Sequence, residues 1–508
     1  MERISRRALV QGAASTAIAF GVHGIVPRSQ AFAQTPAATP IRLTALDDLR
    51  ARLDGTLMLP GDSGFDSASL PANGRYRDIR PLAVARVAHE ADVVTCVLWC
   101  REHGISPVAR GGGHSYAGFS TTNGLLVDLR RLNALDIDLR AGTAMSGGAA
   151  TNGDFFTAYE NGSHFLPGGT CLGVGIGGLV LGGGIGYNAH WAGLTCDHLT
   201  ASRIVTADGE IREIDAARDA DLFWACRGGA GGSFGINTQF SFNLVEVPAA
   251  PVGYFRFDWT GADAAQAVFE AFHALLADAP AALNAVAMAE ATEVGSGGPR
   301  DAIHVMSRGQ YIGPLDELQE LVRPLLEAAT PDRQVLEAIP FWQMQRMIAS
   351  AEPEPHSFGD ISRYAAEPLP SHVVTELVDL LVECPGRTDD VNGSIWSLGW
   401  VGGEVINAFA RTDTAYVHRG ALTLMRPTTV WSNDSDQGVI DGLNDWTAAV
   451  IRALEPVTMN ESYQNFPNRD IEQWQQQYYA ENWDRLVEVK TAYDPANLFN
   501  NPQSIPPK

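Results

Sequence analysis

Cysteine is scarce and forms no metal pattern. The 508 residues hold six, with no C-x-x-C and no H-E-x-x-H, so neither a zinc site nor a disulfide-stapled scaffold is expected. Cys96 and Cys100, four apart on a stretch that reads as a helix, could be taken for a metal pair. Their neighbours Val93, Val94, Val97 and Leu98 make them small core residues instead. Cys196, Cys226 and Cys384 stand in contexts without chemistry, and no metal is expected. Basic residues are also short: 36 Lys and Arg face 59 Asp and Glu, a net charge of −23. That balance excludes nucleic acid and anionic membrane as partners, because both need clustered positive charge. Past the N-terminus no apolar run approaches the ~20 residues that span a bilayer. There is no low-complexity tract and no repeat with a period of about 20–50 residues. What is present is ordinary for a globular protein, 45% hydrophobic and 19% charged, with a generous 51 glycines. The length suffices for two or three domains.

The first residues read as an address. Ser5-Arg6-Arg7-Ala8-Leu9-Val10 is a twin-arginine signature, followed by an Ala/Gly-rich apolar stretch and by Ala31-Phe32-Ala33, a small-residue cleavage site. Residues 1–33 are therefore expected to be an export signal and the protein to be periplasmic or secreted. The twin-arginine route carries folded proteins, often with a cofactor in place.

Residues 34–75 read as an extended lead-in with a helix over 45–53. From Tyr76 strands and helices alternate: a helix over 89–102, a strand over 106–109, strands over 125–129 and 135–139, and a helix over 150–160. Residues 203–214 read as a hairpin around Asp208-Gly209. A strand over 236–245 ends this part, and Pro248 to Pro251 marks a boundary. Beyond it come helices over 262–277 and 315–328 and strands over 253–259 and 404–410, read as a sheet covered by helices. The tail, 456–508, carries a helix over 471–479 and is too short to fold alone. It should pack back on an earlier domain.

Two glycine-rich stretches carry the chemistry. Arg110-Gly111-Gly112-Gly113-His114-Ser115 and Gly168-Gly169-Thr170-Cys171 each set one nucleophilic side chain at the edge of a loop. Glycine lets the backbone approach a bulky anionic ligand and turn its N–H groups inward. Gly173-Val-Gly175-Ile-Gly-Gly178 formally matches G-x-G-x-x-G, and Asp197 falls about where a ribose-binding acid would. The match follows Pro167-Gly168-Gly169 rather than a buried strand, and glycines continue through Gly182-Gly183-Gly184. A dinucleotide fold of the Rossmann type is therefore not expected.

Taken together these motifs resemble the berberine-bridge-enzyme-like branch of the vanillyl-alcohol-oxidase (PCMH-type) FAD-linked oxidases. The resemblance rests on Pro107 through Ser115, on Gly169 through Gly178, and on Asp221-Leu-Phe-Trp224 with Arg227 through Gly235. It rests also on the C-terminus, from Tyr478-Tyr479 through Val489-Lys490 and Tyr493-Asp-Pro495 to Pro506. It implies an α+β fold: a two-subdomain FAD-binding domain over 76–248, a substrate domain over 249–455 with an antiparallel sheet covered by helices, and a returning segment over 456–508. It implies covalent FAD, with His114 on the ring's 8-methyl position and Cys171 on ring position 6. Arg110, Gly111, Gly112, Gly113, Ser115, Gly169, Thr170, Val174, Gly175, Gly178, Gly235 and Ile236 would complete the cofactor site.

Tyr463-Gln464-Asn465-Phe466 sits where the family carries Tyr-x-Asn-Tyr, which makes Tyr463 the expected base. A tyrosine starts near pKa ~10, so it needs positive charge or hydrogen bonds to ionise. The family's second tyrosine is Phe466 here, and Ile185 stands where members with two oxidations carry a tyrosine, unless Tyr187 substitutes. Val174 has the size that goes with oxygen access. Trp396, Trp400, Arg411, His418 and Arg419 could line the substrate face or serve packing and surface charge.

The expected function is an oxidase with bicovalent FAD that takes hydride from a hydroxyl-bearing carbon of a sugar, oligosaccharide or secondary alcohol and reduces O2 to H2O2. A dehydrogenase with a non-oxygen acceptor, or an oxidase of an amine or natural product, is the alternative within the class. A non-catalytic carbohydrate- or flavin-binding protein is the alternative outside it. His114, Cys171 and Tyr463 together speak against that one.

Overall fold

The computed structural model describes residues 43–349 and 356–508; the export signal expected at 1–33 lies outside them. The first sheet has four strands in the order Thr56–Met58, Ala83–Arg86, Leu125–Asp128, Pro107–Arg110. The last three run parallel, and the helix Glu90–His103 links two of them. Parallel neighbours need such a crossover, and both faces of the strand they flank are then covered. Leu125, Leu126 and Val127 are accordingly fully buried, as are Cys96 and Cys100 on the helix. The helix stops at Gly104, whose φ of 65° is the left-handed turn that glycine takes without strain. Pro107–Arg110 then delivers the chain into the first glycine loop.

The second sheet is antiparallel, in the order Leu135–Asp138, Thr143–Gly147, Ile236–Asn243, Leu199–Val205, Ile211–Asp215. The expected hairpin is present, with Val205 opposite Ile211 across the Asp208-Gly209 turn. Beside Leu135–Asp138 the helix Asn152–Tyr159 is held by a capping box: Thr151 and Asp154 satisfy each other's backbone N–H groups.

From Val252 onward nine strands build one large antiparallel sheet. Its central path is Arg333–Ile339, Val252–Thr260, Ile303–Tyr311, Leu283–Ala291, Val391–Leu398, Thr423–Trp431, Ser357–Asp360. Residues paired across antiparallel strands share a face, and successive residues alternate. One face presents Phe255, Ala285, Ala287, Ile395 and Met425 to the helices Ala262–Ala277, Leu315–Ala328, Ser371–Val382 and Gln437–Leu454. In Ala262–Ala277 the residues Ala265, Val268, Phe269, Phe272 and Leu276 recur at helical spacing, so one stripe meets the sheet. The opposite face carries Arg308, Val286, Leu398 and Leu424 in one cross-strand row, with Trp396 opposite Arg426 beside it. No helix of those four covers this face; it looks onto the glycine loops.

The fold is α+β. Two local expectations fail. Residues 404–410 are not a strand: Glu404–Asn407 is a short helix. Gly403, at φ 89°, turns the chain there and lies so close to His190 that a Cβ would sit 2.4 Å from its Nε2. Asn407 is then spent accepting a hydrogen bond from the Gly420 N–H, and β-branched Val405 and Ile406 do not override this. The helix expected over 471–479 is only Trp474–Tyr479, because Asn468 binds the Asp470 N–H in a turn that delays its start. Among the described residues no helix is long and apolar enough to cross a membrane.

Candidate active site

A cavity of about 450 Å3 lies between the glycine loops and the open face of the large sheet. Gly111, Gly112, Gly113, His114, Ser115, Gly169, Thr170, Cys171, Val174, Gly175, Gly178, Gly235, Ile236 and Tyr463 all line it. The sequence had scattered these over some 350 positions.

Two backbones meet to bring His114 and Cys171 to one place. A Cβ on Gly112 would lie 2.4 Å from the Gly175 nitrogen, and one on Gly175 would lie 2.4 Å from that of Gly112. Only a pair of glycines permits that approach. The Cys171 loop is pinned from behind by the capped helix: the Asn152 amide donates to the Cys171 carbonyl at 3.0 Å and the Gly153 N–H to that of Leu172 at 2.8 Å. Of the six thiols Cys171 is the one not buried. Burial pushes the pKa of Cys96, Cys100, Cys196, Cys226 and Cys384 upward, which makes those five poor nucleophiles.

Arg110 departs from its expected role. Its buried guanidinium donates to the carbonyls of Ala68, Ser69, Leu70 and Ser120, and it does not line the cavity. It fixes the root of the loop, with four of its five N–H groups spent on backbone carbonyls. Ser115 lines the cavity while its hydroxyl accepts from the Phe119 N–H at 2.9 Å.

Tyr463 is fully buried, and its hydroxyl oxygen accepts three hydrogen bonds. The donors are the Gly184 N–H at 3.0 Å, the Ile185 N–H at 3.2 Å and the Asn465 amide at 3.1 Å. The cage explains the glycine triplet. Gly183 and Gly184 take φ of 118° and 86°, which turns the following N–H groups toward the phenol. A Cβ on Gly182 would strike Asn465 at 2.1 Å. Burial pushes the Tyr463 pKa up to about 12, and the three donors work against that rise by favouring the phenolate. No cation is needed for this. Two backbone N–H groups and one side-chain amide supply that opposition.

Around it stand Phe466, noted in the sequence, and residues that sequence reasoning passed over: Tyr116, Asp360, Arg426 and Arg308. Phe466 packs edge-on against Tyr463, with ring centroids 5.0 Å apart, and stacks on Tyr116 at 5.0 Å. The Arg426 guanidinium lies 4.5 Å from the Phe466 centroid and pairs with Asp360 at 2.6 Å. Arg308 also lines the cavity. Both arginines are single cations in apolar strands, Arg426 just before Pro427, and that interruption was the available signal.

Of the five residues left open on the substrate side, Trp396 and Trp400 line the cavity. The other three are structural: Arg411 pairs with Glu461 and Glu481, His418 sits between Glu461 and Gln464, and Arg419 pairs with Asp197. Asp197, so engaged, is no ribose ligand. Gly173–Gly178 opens a helix of six residues, Ile176–Leu181, out of a loop. Tyr187 does not replace the missing tyrosine. It is buried against Trp400, at 5.2 Å between centroids, and burial pushes its pKa upward. Ile185 lines the cavity in its own right.

A flavin dinucleotide fits this donor set. The glycine walls leave backbone N–H groups to an anionic pyrophosphate, a Cβ at Gly178 would meet nothing within 4 Å, and a histidine and a thiol stand at the rim.

Comparison with known proteins agrees. The family signature described as "FAD binding domain" matches residues 81–215, and "Berberine and berberine like" matches 462–506. The uncharacterized FAD-linked oxidoreductase YgaK of Bacillus subtilis (strain 168) is 30% identical over 471 residues, covering 90% of this chain and 98% of its own. The wild-type BBE-like 1 of Physcomitrella patens superposes with a TM-score of 0.79 at 27% identity, over 91% of this chain and 99% of its own. The Acremonium strictum glucooligosaccharide oxidase shares the fold, with a TM-score of 0.79 at 24% identity over 91% and 98%. The chain thus belongs to the berberine-bridge-enzyme-like family of FAD-linked oxidoreductases.

Proposed function

We propose that the protein is an oxidase carrying FAD bonded to both His114 and Cys171, and that it oxidises a hydroxyl-bearing carbon of a sugar, oligosaccharide or secondary alcohol. One observation carries this reading. His114, Cys171 and a tyrosine caged by N–H donors front on the same cavity from three separate parts of the chain. Mere binding of a flavin or a carbohydrate requires none of the three.

Bound FAD supplies an acceptor for two electrons as hydride, which oxygen then takes up as hydrogen peroxide. The chain does the rest. His114 and Cys171 anchor the group in an open site, where dissociation would end activity. Tyr463, as phenolate, takes the hydroxyl proton while the same carbon loses hydride. Gly184, Ile185 and Asn465 hold the charge on the phenolate oxygen before the proton arrives. Trp396 and Trp400 offer flat apolar surface across from the loops, which suits a sugar ring. Val174 at the cavity wall keeps room for oxygen, which favours an oxidase over a dehydrogenase. The signal at 1–33 supports export to the periplasm or beyond, where a cofactor bonded to its protein cannot be lost.

The test is a panel of oligosaccharides, secondary alcohols and amines mixed with the yellow protein without oxygen. Bleaching by the hydroxyl compounds, followed by peroxide in step with recolouring in air, is the expected result. Bleaching by amines alone, or recolouring only with a quinone, would overturn it.

A further inference from the structure

The cavity has an electrostatic character that the rest of the chain lacks. The protein carries a net charge of −23, yet no aspartate or glutamate is among the residues that line the cavity, while two arginines are. These arginines differ in their surroundings. Arg426 is compensated: Asp360 pairs with it at 2.6 Å, and Tyr116 accepts from it at 3.3 Å. The Arg308 side chain has no hydrogen bond or ion pair to any described residue, and its Nε is buried without a partner.

Elsewhere each described buried arginine has at least one partner, although the Nε of Arg419 is also unpartnered. Arg110 has four carbonyls, Arg363 has Ser462 and Gln477, and Arg419 has Asp197. Arg308 is placed in opposition to another cation besides, since Arg256 is its cross-strand partner, and Asp258 is already committed to Arg256 and His304. A half-buried guanidinium without a counter-ion, directly opposite a like charge, is costly to the fold. Its surroundings do not recover that cost. The Tyr187 ring lies 5.9 Å from the guanidinium to the centroid, too far to replace a counter-ion. Nearby Trp400 also has an indole N–H with no partner.

We infer that the substrate carries a carboxylate which pairs with Arg308 as the ligand lies across the open sheet face, so that the favoured class is acidic: a uronic-acid saccharide or a comparable hydroxy acid. This deepens the proposed oxidation and rests on it for the reaction, though not for the binding. Asp360 neutralises Arg426, leaving one net positive charge on this wall. That matches a singly charged group better than a doubly charged phosphate. Arg308 is thereby a specificity-determining residue, apart from the Tyr463 cage.

The experiment compares a uronic-acid disaccharide with the neutral disaccharide of the same linkage, titrated calorimetrically into the holoprotein without oxygen. The uronate should bind at least about tenfold more tightly, and the preference should shrink in about 0.5 M salt. Arg308→Gln should bring the uronate down to the neutral compound's affinity, and Arg308→Lys should restore part of the preference. Should Arg308→Gln fail to fold, the salt dependence and the wild-type preference decide the matter alone. Equal or tighter binding of the neutral disaccharide, or a preference that survives in Arg308→Gln, would overturn the inference. The colour of the flavin separates it from the proposed function: uronate that binds tightly and never bleaches the protein contradicts the oxidation and leaves the pairing with Arg308 standing.

Discussion

At the scale of single residues, the site is a tyrosine whose environment pulls in two directions. Burial raises the Tyr463 pKa to about 12, and three donors oppose it. A base with a raised pKa is ionised only in a small fraction at neutral pH, and that fraction grows as pH rises. The rate of flavin reduction should therefore climb with pH from about 6 to 10, measured by stopped-flow without oxygen. Asn465→Ala removes one of the donors to the phenolate. A hydrogen bond to a charged group is worth about 1.5–3 kcal/mol, so the rising limb should move up by about one pH unit or more. Tyr463→Phe should slow reduction by about 10²–10⁴-fold while flavin content stays unchanged. The tyrosine itself was legible from its motif with Asn465. The donors that tune it were not, because two of them are backbone N–H groups of Gly184 and Ile185, nearly 280 positions away.

At the scale of elements, the site depends on backbones that touch. Gly112→Ala would push a methyl into the Gly175 nitrogen and part the loops that carry His114 and Cys171. Flavin per protein in the purified variant, read from the ratio of visible to ultraviolet absorbance, should fall by half or more. Gly438→Ala, away from the cavity, is the matched control, since its Cβ meets nothing within 4 Å of the protein. Glycine runs announced both loops in the sequence, and two helices of the second half, Ala262–Ala277 and Leu315–Ala328, lie where they were read, while Ser371–Val382 and Gln437–Leu454 were not foreseen. The failures were local. The segment 404–410 reads as a strand from its β-branched residues, yet Gly403 at positive φ and the contact with His190 bend it into a helix. Arg110 looked like part of a ligand cradle because it adjoins one, and only the course of residues 68–70 beneath it and of Ser120 shows where four of its five N–H groups go.

At the scale of the whole molecule, the C-terminal segment locks the glycine-rich part of the fold. Lys490 is fully buried and donates to Asp494 at 2.6 Å and to the carbonyls of Ser233 and Phe499 at 2.7 and 2.6 Å. Removing one member of such a pair strands the other. Lys490→Met should cost about 3–5 kcal/mol in denaturant unfolding, and because Ser233 adjoins Gly232 in the cavity wall, it should also lower flavin retention. The strand and helix stretches and the resemblance foretold a sheet covered by helices in the second half, but not which face of the large sheet would stay open. That follows from four helices crowding one side, and it sets Trp396, Arg308 and Arg426 against loops more than 100 residues away. The central claim concerns what joins the halves, a flavin bonded to His114 and Cys171. Its most direct measurement is the absorbance and mass of the chain unfolded in acid, for the wild type, His114→Ala, Cys171→Ala and the double variant. The account predicts a wild-type chain heavier by one FAD and still yellow, single variants that keep a flavin through the remaining link, and a double variant that is colourless at the mass of the bare polypeptide. A wild-type chain that loses all its colour on unfolding would contradict it.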